Sequence, residues 1–234
     1  MSKQKVVFDL DGTLTDYDYT NRYAIERVYE ELHRELTDEE YDRYQRFERD
    51  YYNSFENSKQ NMDTHGMSRI DYVRSKLYQE LFYDEYIPLA FAYELMNIYI
   101  DNLGIKNKVY DGVPEALDYL ASKYDLYIAS NGPEKAQERK LSKTNLLKYF
   151  KGILSSEVAG YSKPHQEYFD YLFKSFGIIP TESVFIGDSL TSDIIGANKN
   201  GMYSIWYNRT YLPNTTIIIP NKEIHHMDEI KRIL

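Results

Sequence analysis

From Tyr110 onward, short β-branched and aromatic runs alternate with segments of helical period, and few architectures accommodate that alternation. Residues 124–130, 152–155, 183–187, 202–206 and 216–219 read as strands, and 114–122, 133–147, 165–176 and 191–200 as helices. Strands separated by helices are brought side by side by crossover connections, which makes a parallel sheet of βαβ units. One more run of the same kind, Lys5-Val6-Val7-Phe8, stands alone near the start of the chain and ends at Asp9. The expected fold class is therefore α/β, with a first strand far in sequence from its neighbours.

The intervening stretch is helical and acidic. Residues 17–107 hold 19 Asp and Glu against 11 Lys and Arg, out of 37 and 28 in the whole chain, so most of the formal net charge of −9 lies there. This asymmetry predicts two structural units: a core of residues 1–16 and 108–234, and an inserted helical block of 17–107. Helices are expected over 22–36, 69–83 and 89–101. Another is opened by Thr37-Asp38-Glu39-Glu40, a T-x-x-E capping pattern. In that helix Tyr41, Tyr44, Phe47, Tyr51 and Phe55 recur every three to four residues and draw one aromatic face. Fourteen of the 25 tyrosines fall in 17–107. They are expected to pack a helical bundle with their hydroxyls at its rim.

Composition removes several classes of function. No apolar stretch reaches the 18 or so residues of a membrane span. The initial Met-Ser-Lys-Gln-Lys runs into an apolar segment broken by Asp9 and Asp11, unlike a signal peptide. With no cysteine there is neither a disulfide framework nor a thiolate metal site, and a cytoplasmic location is the simplest expectation. The negative charge argues against a nucleic acid polymer as partner.

Four places carry polar residues at or soon after the end of an expected strand. They are Asp9-Leu10-Asp11-Gly12-Thr13, Ser130-Asn131-Gly132, Lys163-Pro164, and Gly187-Asp188-Ser189 with Asp193 beyond. Each alone reads equally well as a turn, a surface lysine or a helix cap. Together they gather at one edge, because ligands of open parallel sheets bind outside the carboxyl ends of the strands. Carboxylates brought together there repel one another unless a cation joins them, and hard oxygen donors without His or Cys suit Mg²⁺. Ser130, Lys163 and the turn amides around Asn131 are donors for phosphoryl oxygens, with the helix at 133–147 starting beside them. Such a set is equipment for phosphoryl transfer, with a carboxylate able to serve as nucleophile.

These motifs, from Asp9-Leu10-Asp11-Gly12-Thr13-Leu14 to Gly187-Asp188-Ser189-Leu190-Thr191-Ser192-Asp193, resemble the four motifs of the haloacid dehalogenase-like (HAD) hydrolase superfamily. The likeness extends over essentially the whole chain, and implies a Rossmann-like core with a helical cap inserted between the first and second motifs. It further implies that Asp9 is the nucleophile and Asp11 the general acid and base. Asp9, Asp188 and the Asp11 main-chain carbonyl would hold Mg²⁺. Ser130, Asn131 and Lys163 would bind the phosphoryl group, and Asp193 would orient Lys163 or the metal's waters. The acid at position 11 sets the chain apart from the dehalogenases of that superfamily and towards its phosphatases. Ser130-Asn131-Gly132-Pro133, Lys140-Leu141, Leu147-Lys148-Tyr149-Phe150 and Ser155-Ser156-Glu157-Val158 further resemble its pyrimidine 5′-nucleotidase branch. The expected partner is a small phosphorylated metabolite, most simply a nucleoside monophosphate. A sugar-phosphate phosphatase, a phosphomutase and a non-catalytic phosphate-binding module are the alternatives, and the oligomeric state is left open. In the loop after Asp11, Tyr17 and Tyr19 are placed either to stack on a base or to pack inside the protein. Trp206 is expected in the core. Asp63, His65 and Asp71 lack ligand spacing and read as surface, while His225 and His226 read as a loop or the start of a helix.

Overall fold

The computed structural model describes residues 5–56 and 64–234, so Asp63 and the side chain of Phe55 lie outside the described residues. The chain divides into two compact units, Met1–Tyr19 with Asn107–Leu234, and Thr20–Lys106.

The first unit is built on a six-stranded sheet of β1 (Lys5–Phe8), β2 (Asp125–Ser130), β3 (Phe150–Ser155), β4 (Ser183–Gly187), β5 (Tyr203–Tyr207) and β6 (Lys222–Ile224). The order is β3-β2-β1-β4-β5-β6, and every pairing is parallel. This is the Rossmann-like α/β arrangement expected. Strand β1, first in the chain, is central, because β2 and β4 pair with it on either side. Alternate residues point to opposite faces, and both faces are buried. Val6 and Phe8 join Ile128, Ile186, Leu117 and Leu141 on one face, while Val7 joins Ala129, Phe169, Leu172 and Phe185 on the other. Burying each such side chain is worth roughly 1.5–3 kcal/mol.

The helices of this unit, the fifth to ninth α-helices in chain order, are α5 (Val113–Lys123), α6 (Glu134–Lys143), α7 (Ser156–Ala159), α8 (Gln166–Phe176) and α9 (Ile195–Lys199). The last is preceded by a wide helical turn, Leu190–Ile194, which Ser189 caps by accepting the Ser192 N–H at 3.2 Å. One expected strand is absent. Residues 216–219 are irregular, and the final strand forms further on, at Lys222–Ile224. The Asn214 and Thr216 side chains accept the N–H groups of Thr216 (2.9 Å) and Ile218 (3.1 Å), so the backbone there turns on itself and does not join a ladder. His225 and His226 lead into a short helical turn, Met227–Arg232, where the Glu229 carboxylate accepts both of their N–H groups at 2.8 Å.

The second unit holds α2 (Asp38–Glu56), α3 (Arg69–Leu81), α4 (Leu89–Asn102) and most of α1 (Tyr17–Glu31). Helix α1 starts five residues before the expected position because Asp16 Oδ1 accepts the Tyr19 N–H at 3.2 Å, a cap that places Tyr17 and Tyr19 in its first turn. It ends early, at Glu31, and His33 just beyond takes a left-handed conformation (φ 54°). Thr37 caps α2 through the Glu40 N–H at 3.2 Å. The Glu40 side chain does not return to the cap but accepts the Tyr29 hydroxyl at 2.9 Å. Tyr41 and Tyr44 are buried. The hydroxyl of Tyr44 reaches Glu48 (2.7 Å), whereas Tyr41 and Tyr99 meet Asn21 inside the unit at 3.3 and 2.9 Å. His65 is exposed, and Asp71 accepts the hydroxyl of Ser68, the α3 cap residue, at 2.8 Å.

Candidate active site

The strand order reverses between β1 and β4, and a doubly wound sheet opens a crevice there, beyond its carboxyl ends. Asp9 follows β1 and Asp188 follows β4, so the sheet sets these two carboxylates on either side of that point. Asp9, Asp188 and Asp193 each present an oxygen, and these oxygens lie within 4.8 Å of one another. Gly12 makes the approach possible. Its φ is +86°, and a Cβ there would fall 2.4 Å from Asp188 Oδ2. Thr13 fixes Asp188 by donating to Oδ1 at 3.1 Å, and Trp206, buried as expected, donates its indole N–H to the Asp188 carbonyl at 2.7 Å.

One buried ammonium faces these carboxylates. Lys163 Nζ lies 2.6 Å from Asp9 Oδ1, 2.7 Å from Asp193 Oδ1 and 2.7 Å from the Ala129 carbonyl. Burial works against its charge, but Asp193 and Asp9 outweigh that and hold it above the ordinary lysine range. One cation does not balance three carboxylates. Burial pushes the Asp9 carboxyl well above its usual range against the pull of Lys163, with Asp193 and Asp188 adding to the rise. Asp188 is pushed up to about 7, by burial first and then by Asp193. The cluster thus has room for a proton or a further cation. Asp193 Oδ2 also accepts the Ser189 N–H at 3.1 Å.

The turn after β2 supplies the other wall. Ser130 Oγ accepts the Gly132 N–H at 3.1 Å. The Asn131 side chain spans the Lys163 main chain, donating to its carbonyl at 3.1 Å and accepting its N–H at 2.8 Å. Asn131 thereby holds the Lys163 backbone in place. The Lys163-Pro164 peptide is cis.

Asp11 stands apart from the carboxylate cluster and has partners that the motif reading passed over. Lys140 Nζ lies 2.5 Å from Asp11 Oδ1, and Gln137 Nε2 donates to Asp11 Oδ2 at 2.7 Å. Both residues belong to α6 and both are fully buried. Lys140 stands in the run that resembles the nucleotidase branch, but nothing in the sequence links it to Asp11, and with Gln137 it makes only two polar residues three apart on one helix face, the pattern of any solvated helix.

Known proteins resemble this chain along most of its length. The family profile described as haloacid dehalogenase-like hydrolase matches residues 5–201. The HAD-hydrolase YfnB of Bacillus subtilis is 31% identical over 230 residues, covering 98% of this chain and 94% of its own. Pyrimidine 5′-nucleotidase PynA of Streptococcus pneumoniae is 27% identical, covering 96% and 92%. A crystal structure of YfnB, described as bound to magnesium with interdomain movement, matches with a TM-score of 0.84 at 30% identity, over 100% of this chain and 99% of that one.

Proposed function

The chain belongs to the haloacid dehalogenase-like hydrolases, and from that premise we propose that it is a Mg²⁺-dependent phosphomonoesterase acting on nucleoside 5′-monophosphates through an aspartyl-phosphate. The observation that carries the reading is the meeting of Asp9, Lys163 and Asp188 where the strand order reverses. For the nucleotide, the support is the likeness to PynA across 96% of the chain.

An Asp9 carboxylate oxygen attacks phosphorus. A bond forms from Asp9 to phosphorus as the bond to the ester oxygen breaks, and the departing oxygen takes a proton from Asp11. Water then attacks the same phosphorus and gives a proton to Asp11, the bond to Asp9 breaks, and phosphate leaves. The Lys163 ammonium, the Ser130 hydroxyl and the amides of the Asn131 turn hold the phosphoryl oxygens as charge shifts among them.

Mg²⁺ fits the donor set, which is all oxygen and carries more negative charge than Lys163 balances. Asp9, Asp188 and the Asp11 main-chain carbonyl would hold it, and when bound it supplies positive charge beside the phosphoryl group. Asp193 is left to orient Lys163. The helical block of 17–107 stands in the chain where the family inserts its cap, between the first and second motifs.

The test is phosphate release from nucleoside monophosphates and sugar phosphates, with Mg²⁺ or a chelator, and with Asp9→Asn as blank. Mg²⁺-dependent turnover of pyrimidine nucleotides, absent in Asp9→Asn, is expected. Turnover of sugar phosphates alone would discard the nucleotide assignment. Turnover that survives Asp9→Asn would discard the mechanism.

A further inference from the structure

We infer that Lys140 and Gln137 are positioning residues that hold the Asp11 carboxylate for the second half of the reaction, hydrolysis of the phospho-enzyme. The inference rests on the phosphatase reading above. Lys135 and Lys143, on the same helix, are exposed, whereas Lys140 is 0% exposed. A buried ammonium is tolerated only with a well-placed partner. Lys140 has Asp11 Oδ1 at 2.5 Å, with the Tyr17 ring 5.9 Å away. One turn earlier, Gln137 Nε2 bridges Asp11 Oδ2 (2.7 Å) and Ser130 Oγ (2.8 Å), which ties the clamp to the turn that faces the substrate.

Two further features fit this assignment. The contacts to Asp11 come from donors on both sides, so both of its oxygens act as acceptors. In addition, a Cβ at Gly132 would fall 1.8 Å from Gln137 Nε2 and 3.4 Å from Asp11 Oδ2. The chain therefore carries no side chain where the Gln137 amide crosses to Asp11.

p-Nitrophenyl phosphate separates the two halves, because p-nitrophenolate leaves without a proton and the first half then makes no demand on Asp11. Rapid-mixing measurements on Lys140→Met and Gln137→Leu are expected to show the first release of p-nitrophenolate at close to the wild-type rate. Steady-state turnover is expected to fall about 10²-fold, the scale of a small misplacement of a catalytic group. Acid-quenched samples should carry more protein-bound phosphate than wild type. Gln137→Leu leaves every charge in place and carries the test alone if Lys140→Met does not fold. The inference is overturned if both phases slow together, as a general loss of structure would produce, or if neither changes. If wild type releases no p-nitrophenolate, or Asp9→Asn still does, the phosphatase reading itself falls and takes this inference with it.

Discussion

At the scale of single residues, the site has a surplus of negative charge. Asp188, pushed up to about 7, binds its proton more tightly folded than unfolded, where a carboxyl titrates near 3.8. The folded state therefore holds extra protons between these values, and metal-free stability should fall as pH rises from about 4 to 7. In chelator, the melting temperature is expected to decline from pH 5 to pH 8, and less so in Asp188→Asn. Added Mg²⁺ should raise the wild-type melting temperature more at pH 8 than at pH 5, and the variant's much less at either. Parallel profiles for the two proteins would mean that Asp188 does not titrate in this window.

At the scale of elements, the ends of strands were legible in the sequence and the insides of helices less so. Asp9, Ser130 and Asp188 stand out because an apolar run stops at each or just before it, and these three places fall at the ends of strands of one sheet. Lys140 and Gln137 gave no such signal. A helix always shows polar residues, and only the packing of α6 in its unit decides which of them meets water. The misread strand at 216–219 has a related cause, since its β-branched residues suit a ladder but Asn214 and Thr216 bind the local amides first. Ile217 is 98% exposed and Ile224 is 0% exposed. Ile217→Lys is accordingly expected to change stability by less than about 0.5 kcal/mol. Ile224→Ala should cost about 2–5 kcal/mol by chemical denaturation. The reverse order would restore the strand to 216–219.

At the scale of the whole molecule, each unit has its own apolar interior. Leu95, Val28 and Leu77 are buried in the helical unit, and Val6, Ile128 and Ile186 in the sheet unit. Leu95→Ala is expected to speed amide hydrogen exchange across α1, α3 and α4 while β1, β2 and β4 keep their protection, as separate cooperative units would require. Loss of protection in the strands as well would show that the two unfold as one. The central position of β1 bears also on how the protein is made. Lys163 follows Asp9 by 154 residues, a gap of roughly 8–30 s at ordinary rates of translation. Throughout that interval the nascent chain carries its innermost strand with neither flanking neighbour complete at first, and β4 is the last of the two to emerge. The helical block, synthesised in between, is local in its contacts and can form while β1 waits. A chain released early thus holds Asp9 without the lysine that faces it.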